Sequence, residues 1–135
     1  MDPDYRVERE VAEMLLREAR RCKRSVVEYV LRPMAERSLA RGGLRLGNLV
    51  VEVGDVSKLH QRMRELASAA PWLDVVYGIV TDGAKAEYYA LRRGGEPELK
   101  VRGSLAEVAE TAASDLCAGK IPIASPEDIA DIFGV

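Results

Sequence analysis

The chain has 135 residues, 47% of them apolar and 31% charged, a balance that fits one globular domain and excludes a disordered tail. No apolar run approaches the ~20 residues a membrane helix needs, and the acidic start, Met1-Asp-Pro-Asp4, has no signal-like apolar core, so a cytoplasmic location is expected. The net charge of −2 hides an asymmetry: residues 1–64 carry 14 basic and 10 acidic side chains, and residues 65–135 carry 6 and 12. The strong overall basicity of a typical DNA-binding domain is absent, so any polyanion must be met by one face.

The first element reads as a helix. Val7, Val11, Met14, Leu15, Ala19 and Cys22 recur at helical spacing and form one apolar stripe. On its far side Arg17, Arg20, Arg21 and Arg24 fall at i, i+3, i+4 and i+7 and make a basic ridge. Pairs such as Glu13–Arg17 and Arg9–Glu13 would solvate part of this face, but four arginines exceed what those pairs use, so the ridge is a candidate phosphate contact. Residues 25–41 support two readings. Ser25-Val-Val-Glu28 has the form of a helix capping box, whereas the β-branched density and Pro33 suit a strand from Ser25 to Arg32. Gly42-Gly43 ends whichever element this is.

Leu49, Val50, Val51 and Val53 give a buried strand. Asp55 is placed to cap a helix over residues 56–70, with Val56, Leu59, Met63, Leu66 and Ala70 on its buried side, and Pro71 stops it. Val75, Val76, Ile79 and Val80 belong to a strand covered on both faces, and the Thr81-Asp82-Gly83 turn leads into an alternating strand from Ala84 to Leu91. Leu99 to Val101 suits a short edge strand. Ser104-Leu-Ala-Glu107 is a capping box for a helix over 104–118 that Gly119 ends. An extended link, Ile121-Pro-Ile-Ala124, leads to a short helix capped by Ser125, with Pro126 first and Ile129, Ile132 and Phe133 on one side. So short an apolar helix must dock on its own domain or on a partner. The expectation is a single α/β domain over 1–135, with a mixed central sheet flanked by helices.

Two cysteines are too few for a disulfide scaffold, and Cys22 and Cys117 are too far apart in sequence for a CxxC metal site. Both fall on apolar helix sides, where buried free thiols are the ordinary reading. A disulfide between them requires the two helices to pack side by side, in an oxidising or hyperthermophilic cell. Arginine outnumbers lysine 15 to 5, which suits a thermophile or a GC-rich genome. His60, the only histidine, reads as a surface helix residue. Dinucleotide-binding, P-loop and HExxH motifs are absent.

From Leu44 the order is a strand-like run to Val53 carrying Glu52, a helix bearing Lys58, His60, Gln61, Arg62 and Arg64, a strand from Trp72 to Val80, and a turn into a further strand. This order resembles the core of the restriction-endonuclease-like, PD-(D/E)XK nucleases. The Tyr77-Gly-Ile-Val-Thr-Asp-Gly83 run is similar to the strand and turn after the catalytic helix in restriction-subunit N-terminal domains. The resemblance covers about half the chain and implies a restriction-endonuclease-like core, with residues 25–32 as a strand. It also implies a Mg²⁺ site in which carboxylates hold the ion, the ion activates a water, and a lysine steadies the attacking hydroxide. Glu52 matches the acidic position. The lysine position is Gly54, and the aspartate position falls at Gly47 or Asn48. The resemblance thus implies Glu52 and Asn48 as metal ligands, Lys58 as a migrated catalytic lysine, Gln61 as the helix glutamine, and Glu10 or Glu13 as the acid on the first helix.

Three functional expectations follow. The favoured one is a nuclease-fold pseudoenzyme with a degenerate metal site, which binds DNA or serves as a non-catalytic subunit of a larger DNA-processing complex or homodimer. The second is an active Mg²⁺-dependent endonuclease using Glu52, Lys58 and Asn48. The third is a small α/β adaptor without a nucleic-acid role, docking on a protein partner through its last helix.

Overall fold

A computed structural model describes residues 3–118 and 123–133. The expected stripe of Val11, Leu15 and their neighbours forms α1 (Pro3–Glu18). The helix stops there, at a turn over residues 19–23, so the four arginines do not lie on one helix as the spacing suggested. Arg17 sits in the last turn of α1, Arg20 and Arg21 lie in the turn, and Arg24 begins α2 (Arg24–Val26).

Residues 25–41 are helical, which corrects the strand that the nuclease resemblance favoured. After α2 the path widens into a π-helical turn (Val27–Leu31) and continues as α3 (Arg32–Ala40). Pro33 explains the widening. It has no N–H to donate, and its ring crowds the carbonyl four residues back. The wider turn accommodates it, with the Arg32 amide donating five residues back to Val27. The Ser25 capping box is not used, because the N-cap falls two residues earlier, at Lys23, which makes no side-chain bond.

The run from Leu44 to Val53 is not one strand but a hairpin. β1 (Arg45–Leu46) turns at Gly47-Asn48 into β2 (Leu49–Val53), antiparallel to it. Asp55 caps α4 (Val56–Ala69) as expected, its carboxylate accepting from the amides of Ser57 at 2.9 Å and Lys58 at 3.4 Å. The chain then enters β3 (Val75–Thr81), which runs parallel to β2 with Glu52 opposite Val80. Trp72 does not begin this strand. It lies before it, 58% exposed, with its indole N–H donating to the Ile123 carbonyl at 2.7 Å. β4 (Lys85–Arg92) and β5 (Glu98–Ser104) follow as antiparallel neighbours, giving a five-stranded mixed sheet in the order β1-β2-β3-β4-β5.

The sheet separates two cores. On one face α1, α3 and α5 (Leu105–Cys117) cover Leu49, Val51, Ile79, Ala86 and Tyr88. Tyr88 is fully buried and donates its hydroxyl to Asp115 at 2.9 Å, so burial and the nearby carboxylate raise its pKa. On the other face α4 packs Leu59 and Met63 against Val50, Val76, Val80 and Leu91. Gly78 of β3 permits that approach. A Cβ there would stand 2.5 Å from Met63 Sδ and 2.9 Å from Leu59 Cδ1, so even one methyl group would push α4 off the sheet.

Both sheet edges are protected. Ser38 of α3 satisfies β1, accepting from the Arg45 amide at 3.0 Å and donating to its carbonyl at 3.2 Å. At the other edge a bulge opposite Tyr88 and Tyr89, with charges at Glu98, Lys100 and Arg102, disfavours pairing with a further strand.

Cys22 and Cys117 form a disulfide with a Cα–Cα distance of 4.9 Å, so the free-thiol reading is corrected. The bond ties the α1–α2 turn to the end of α5. Ser104 caps α5 through the Glu107 amide, as the capping box requires. Gly119 and the Ile121-Pro122 part of the link lie outside the described residues, as do the side chains of Ile132 and Phe133. Among the described residues, no helix is long and apolar enough to cross a membrane.

The last helix, α6 (Pro126–Phe133), docks on the chain's own π turn and α3, and one of its anchors is polar. Asp128, with 0% exposure, accepts from Arg37 at 2.8 Å, from Arg45 at 2.8 and 3.0 Å, and from the Ala124 amide at 2.9 Å. Burial alone would raise its pKa, but Arg45, the Ala124 amide and Arg37 together outweigh burial and lower it. A lowered carboxylate pKa stabilises the fold above the unfolded value of about 3.9, and that stability is lost as pH falls through the lower folded value. Asp128→Asn should therefore cost about 3–5 kcal/mol at neutral pH, because two arginines lose their anion. In urea melts across pH, the variant should be less pH-sensitive than wild type below about pH 4. Equal stability at neutral pH would show that α6 is held by other contacts.

Candidate functional site

β2 ends at the point where its outer neighbour has already turned away. β1 pairs only with Leu49 and Val50, and beyond them the Leu44 carbonyl accepts from the Val51 amide at 3.1 Å. Arg62, on the second turn of α4, reaches over this edge. It donates to the Val51 carbonyl, to the Leu44 carbonyl at 3.2 Å and to Glu52 Oε2 at 3.1 Å. Gly43 leaves room for it, since a Cβ there would stand 3.0 Å from the guanidinium. Glu52 is therefore one half of a partly buried ion pair.

Beside this pair a cleft of about 430 Å³ is lined by Asp4, Tyr5, Glu8, Gly42, Glu52 and Val53. Glu8 is its least accessible carboxylate, at 8% exposure. Burial raises its pKa, and the charges of Glu52 and Asp4 add to that. The Leu44 amide and Arg62 oppose the rise without cancelling it. The sequence reading placed the first helix's acid at Glu10 or Glu13. Glu10 is exposed, and Glu13 sits 3.6 Å from Arg32 on the outer face. The signal for Glu8 was present: it interrupts the apolar stripe between Tyr5 and Val11-Ala12, where a carboxylate must face the interior.

The other site residues do not join Glu52. Asn48 is 5% exposed at the opposite end of β2, about 13 Å away along the strand at ~3.3 Å per residue. Its amide donates to the Val75 carbonyl at 2.9 Å, which pins the β1–β2 turn to the start of β3. Lys58 is exposed on the first turn of α4, with no ion pair among the described residues. Gln61 donates to Glu65 at 3.1 Å, one turn along the same exposed face. His60 packs edge-on against Tyr89, with ring centroids 4.7 Å apart, so it is less of a surface residue than its position suggested.

These residues do not fit a Mg²⁺ site. Glu52 faces a guanidinium and Asn48 faces a backbone carbonyl at the far end of the strand. Among the described residues, no group of three or more His, Cys, Asp or Glu is arranged to hold a metal ion. What the cleft offers chemically is a carboxyl group on Glu8 whose ionisation burial disfavours, next to a carboxylate fixed by Arg62.

The cations tell a different story. Arg64 and Arg93, at a groove between α4 and the β3–β4 end of the sheet, are tied to Glu96 at 2.7 Å and Asp74 at 3.5 Å. At the α1–α2 turn Arg17, Arg20, Arg21 and Arg24 are all exposed, and Lys23, which the ridge reading omitted, joins them. Arg20 lies 3.6 Å from Glu18. Among the described residues no carboxylate pairs with the other four.

Because ionised Glu8 is disfavoured in the fold, its own contribution to stability is greatest below its unfolded pKa of about 4.3 and is lost as pH rises through the higher folded value. Glu8→Gln keeps an acceptor for the Leu44 amide and removes the charge, so its melting temperature at pH 7 should exceed that of wild type. Arg62→Ala should move the other way, by about 1–3 kcal/mol, as the Val51 carbonyl and the Glu52 carboxylate lose their donor. A destabilised Glu8→Gln at pH 7 would mean that its charge is needed there.

No family model matches the chain, and no curated protein or solved structure matches it.

Proposed function

We propose that this chain is a non-catalytic nucleic-acid-binding protein, built on a nuclease-like fold whose metal site has degenerated. One observation carries the binding role: five exposed cations cluster within residues 17–24, against a single acid, Glu18. A solvated helix face usually interleaves its charges so that they offset one another. Here four of the five cations have no acidic partner among the described residues, and their accumulation costs self-repulsion that a polyanion would relieve. The disulfide supports the reading by fixing this turn to α5, so that the cations stay at one place on the surface.

The nuclease ancestry is supported by the order β2–α4–β3–β4, with parallel β2 and β3 and Glu52 near the end of β2. Loss of catalysis is supported by the commitments of Glu52 and Asn48 and by Gly54 at the lysine position. The adaptor reading draws less support, because α6 is anchored in cis through Asp128.

Binding should be read by fluorescence anisotropy across a salt series. Each phosphate contact contributes about 0.9 to the log–log slope on duplex DNA and about 0.7 on a single strand. Replacing Arg17, Arg20, Arg21 and Arg24 together by alanine should weaken binding and flatten the slope by roughly 3, if each meets a phosphate. Linear, branched and single-stranded DNA should survive incubation with Mg²⁺ or Mn²⁺. Cleavage that vanished in Glu52→Ala and Lys58→Ala but persisted in His60→Ala would establish a migrated-lysine nuclease instead. Absence of salt-dependent binding at low salt would end the nucleic-acid reading.

A further inference from the structure

We infer that the nucleic acid bound at this turn is single-stranded, with Tyr29 as a stacking platform for a base; the inference rests on the binding role proposed above. Tyr29 lies in the π turn and is 73% exposed, more than any other large hydrophobic side chain described. Unlike Trp72, which is tied to the Ile123 carbonyl, Tyr29 makes no hydrogen bond or ring contact among the described residues. Leaving so much aromatic surface in water is unfavourable, and nothing in the fold requires it.

Its position places it among the unpaired cations. Arg24 lies five residues earlier on the same helical path, about 7 Å along the axis at ~1.5 Å per residue. Across the helical hairpin, Arg9 pairs with Glu36 at 3.0 Å and Glu13 approaches Arg32 at 3.6 Å. These rungs show that the two helical segments run antiparallel, so the end of α1 that carries Arg17 and the start of the facing path, from Arg24 to Tyr29, share one end of the hairpin. Glu28, the residue before Tyr29, is held by Arg32 at 3.2 Å, which offsets its charge. The exposed ring thus lies at the end of the hairpin that also carries Arg17 and Arg24.

An aromatic face beside phosphate-binding cations suits a strand whose bases are free to turn outward. In a duplex the base faces are buried in the stack, and only their edges line the grooves. A tyrosine on a convex helix surface would then find no face to stack on, and its contribution would be lost.

The test uses the full chain, a labelled oligo-dT of about a dozen nucleotides, a span that covers most single-strand site sizes, and a duplex of the same length. Wild type should bind the single strand more tightly at equal salt. Tyr29→Ala should weaken single-strand binding by about 5- to 100-fold, the range expected for one stacked base, with the salt slope unchanged. Tyr29→Phe should restore it, and duplex binding should change in neither variant. A preference for duplex, or unaltered single-strand binding in Tyr29→Ala, would overturn the inference while leaving the nucleic-acid reading intact. If neither oligonucleotide bound, both readings would fall, and binding to phosphatidylserine vesicles instead would assign the patch to a membrane surface.

Discussion

The guanidinium of Arg62 lies where β2 runs out of neighbours, and three acceptors converge on it. One is the Val51 carbonyl, which a further strand would otherwise satisfy, the second is the Leu44 carbonyl, which also accepts from the Val51 amide, and the third is the carboxylate of Glu52. A strand edge left without donors invites water or another chain, and a side chain that fills this role fixes both the helix it comes from and the strand it caps. Arg62 therefore sets α4 against the sheet on one side, while Gly78 lets Met63 and Leu59 close the distance on the other. The same interaction decides the chemistry, because a glutamate held by a cation is poorly placed to hold a second one.

Two further contacts between distant parts of the chain tie down α6 and the α1–α2 turn. Asp128 draws α6 onto Arg37 and Arg45, so a buried charge cluster helps to hold this helix. The disulfide holds the α1–α2 turn to α5 across a sequence separation of 95 residues. In a chain-entropy account, closing a loop of that length removes about 4–5 kcal/mol of freedom from the unfolded chain. Its local effect matters as much: without it, the cationic turn would be secured mainly by the burial of Ala19 and a few backbone bonds.

Much of the sheet was legible in the sequence because its strands and its crossover helix have clear periods. Val75–Val80 reads as a strand covered on both faces, and Asp55 and Ser104 announce the helices they cap. The segment around Val26, Val27 and Val30 was not legible, since β-branched residues and Pro33 locally favour a strand. Packing of Leu31, Met34 and Leu39 into the core made it helical, and the π turn absorbed the proline. The partners of charged residues were hidden for a different reason. Asp128 meets Arg45 from 83 residues away, and Cys22 meets Cys117 from 95, separations over which local pattern carries no information. Glu8 is the exception, because a carboxylate within an apolar stripe can be noticed without knowing the fold.

The account places the binding surface at the α1–α2 turn and the π turn, and leaves the carboxylate cleft unused. Backbone amide shifts followed by NMR during titration with oligo-dT, with and without Mg²⁺, test that division most directly. The account predicts changes confined to residues 17–32, the same in both conditions. Changes centred on Glu8, Glu52 and Lys58 that appeared only with Mg²⁺ would contradict it.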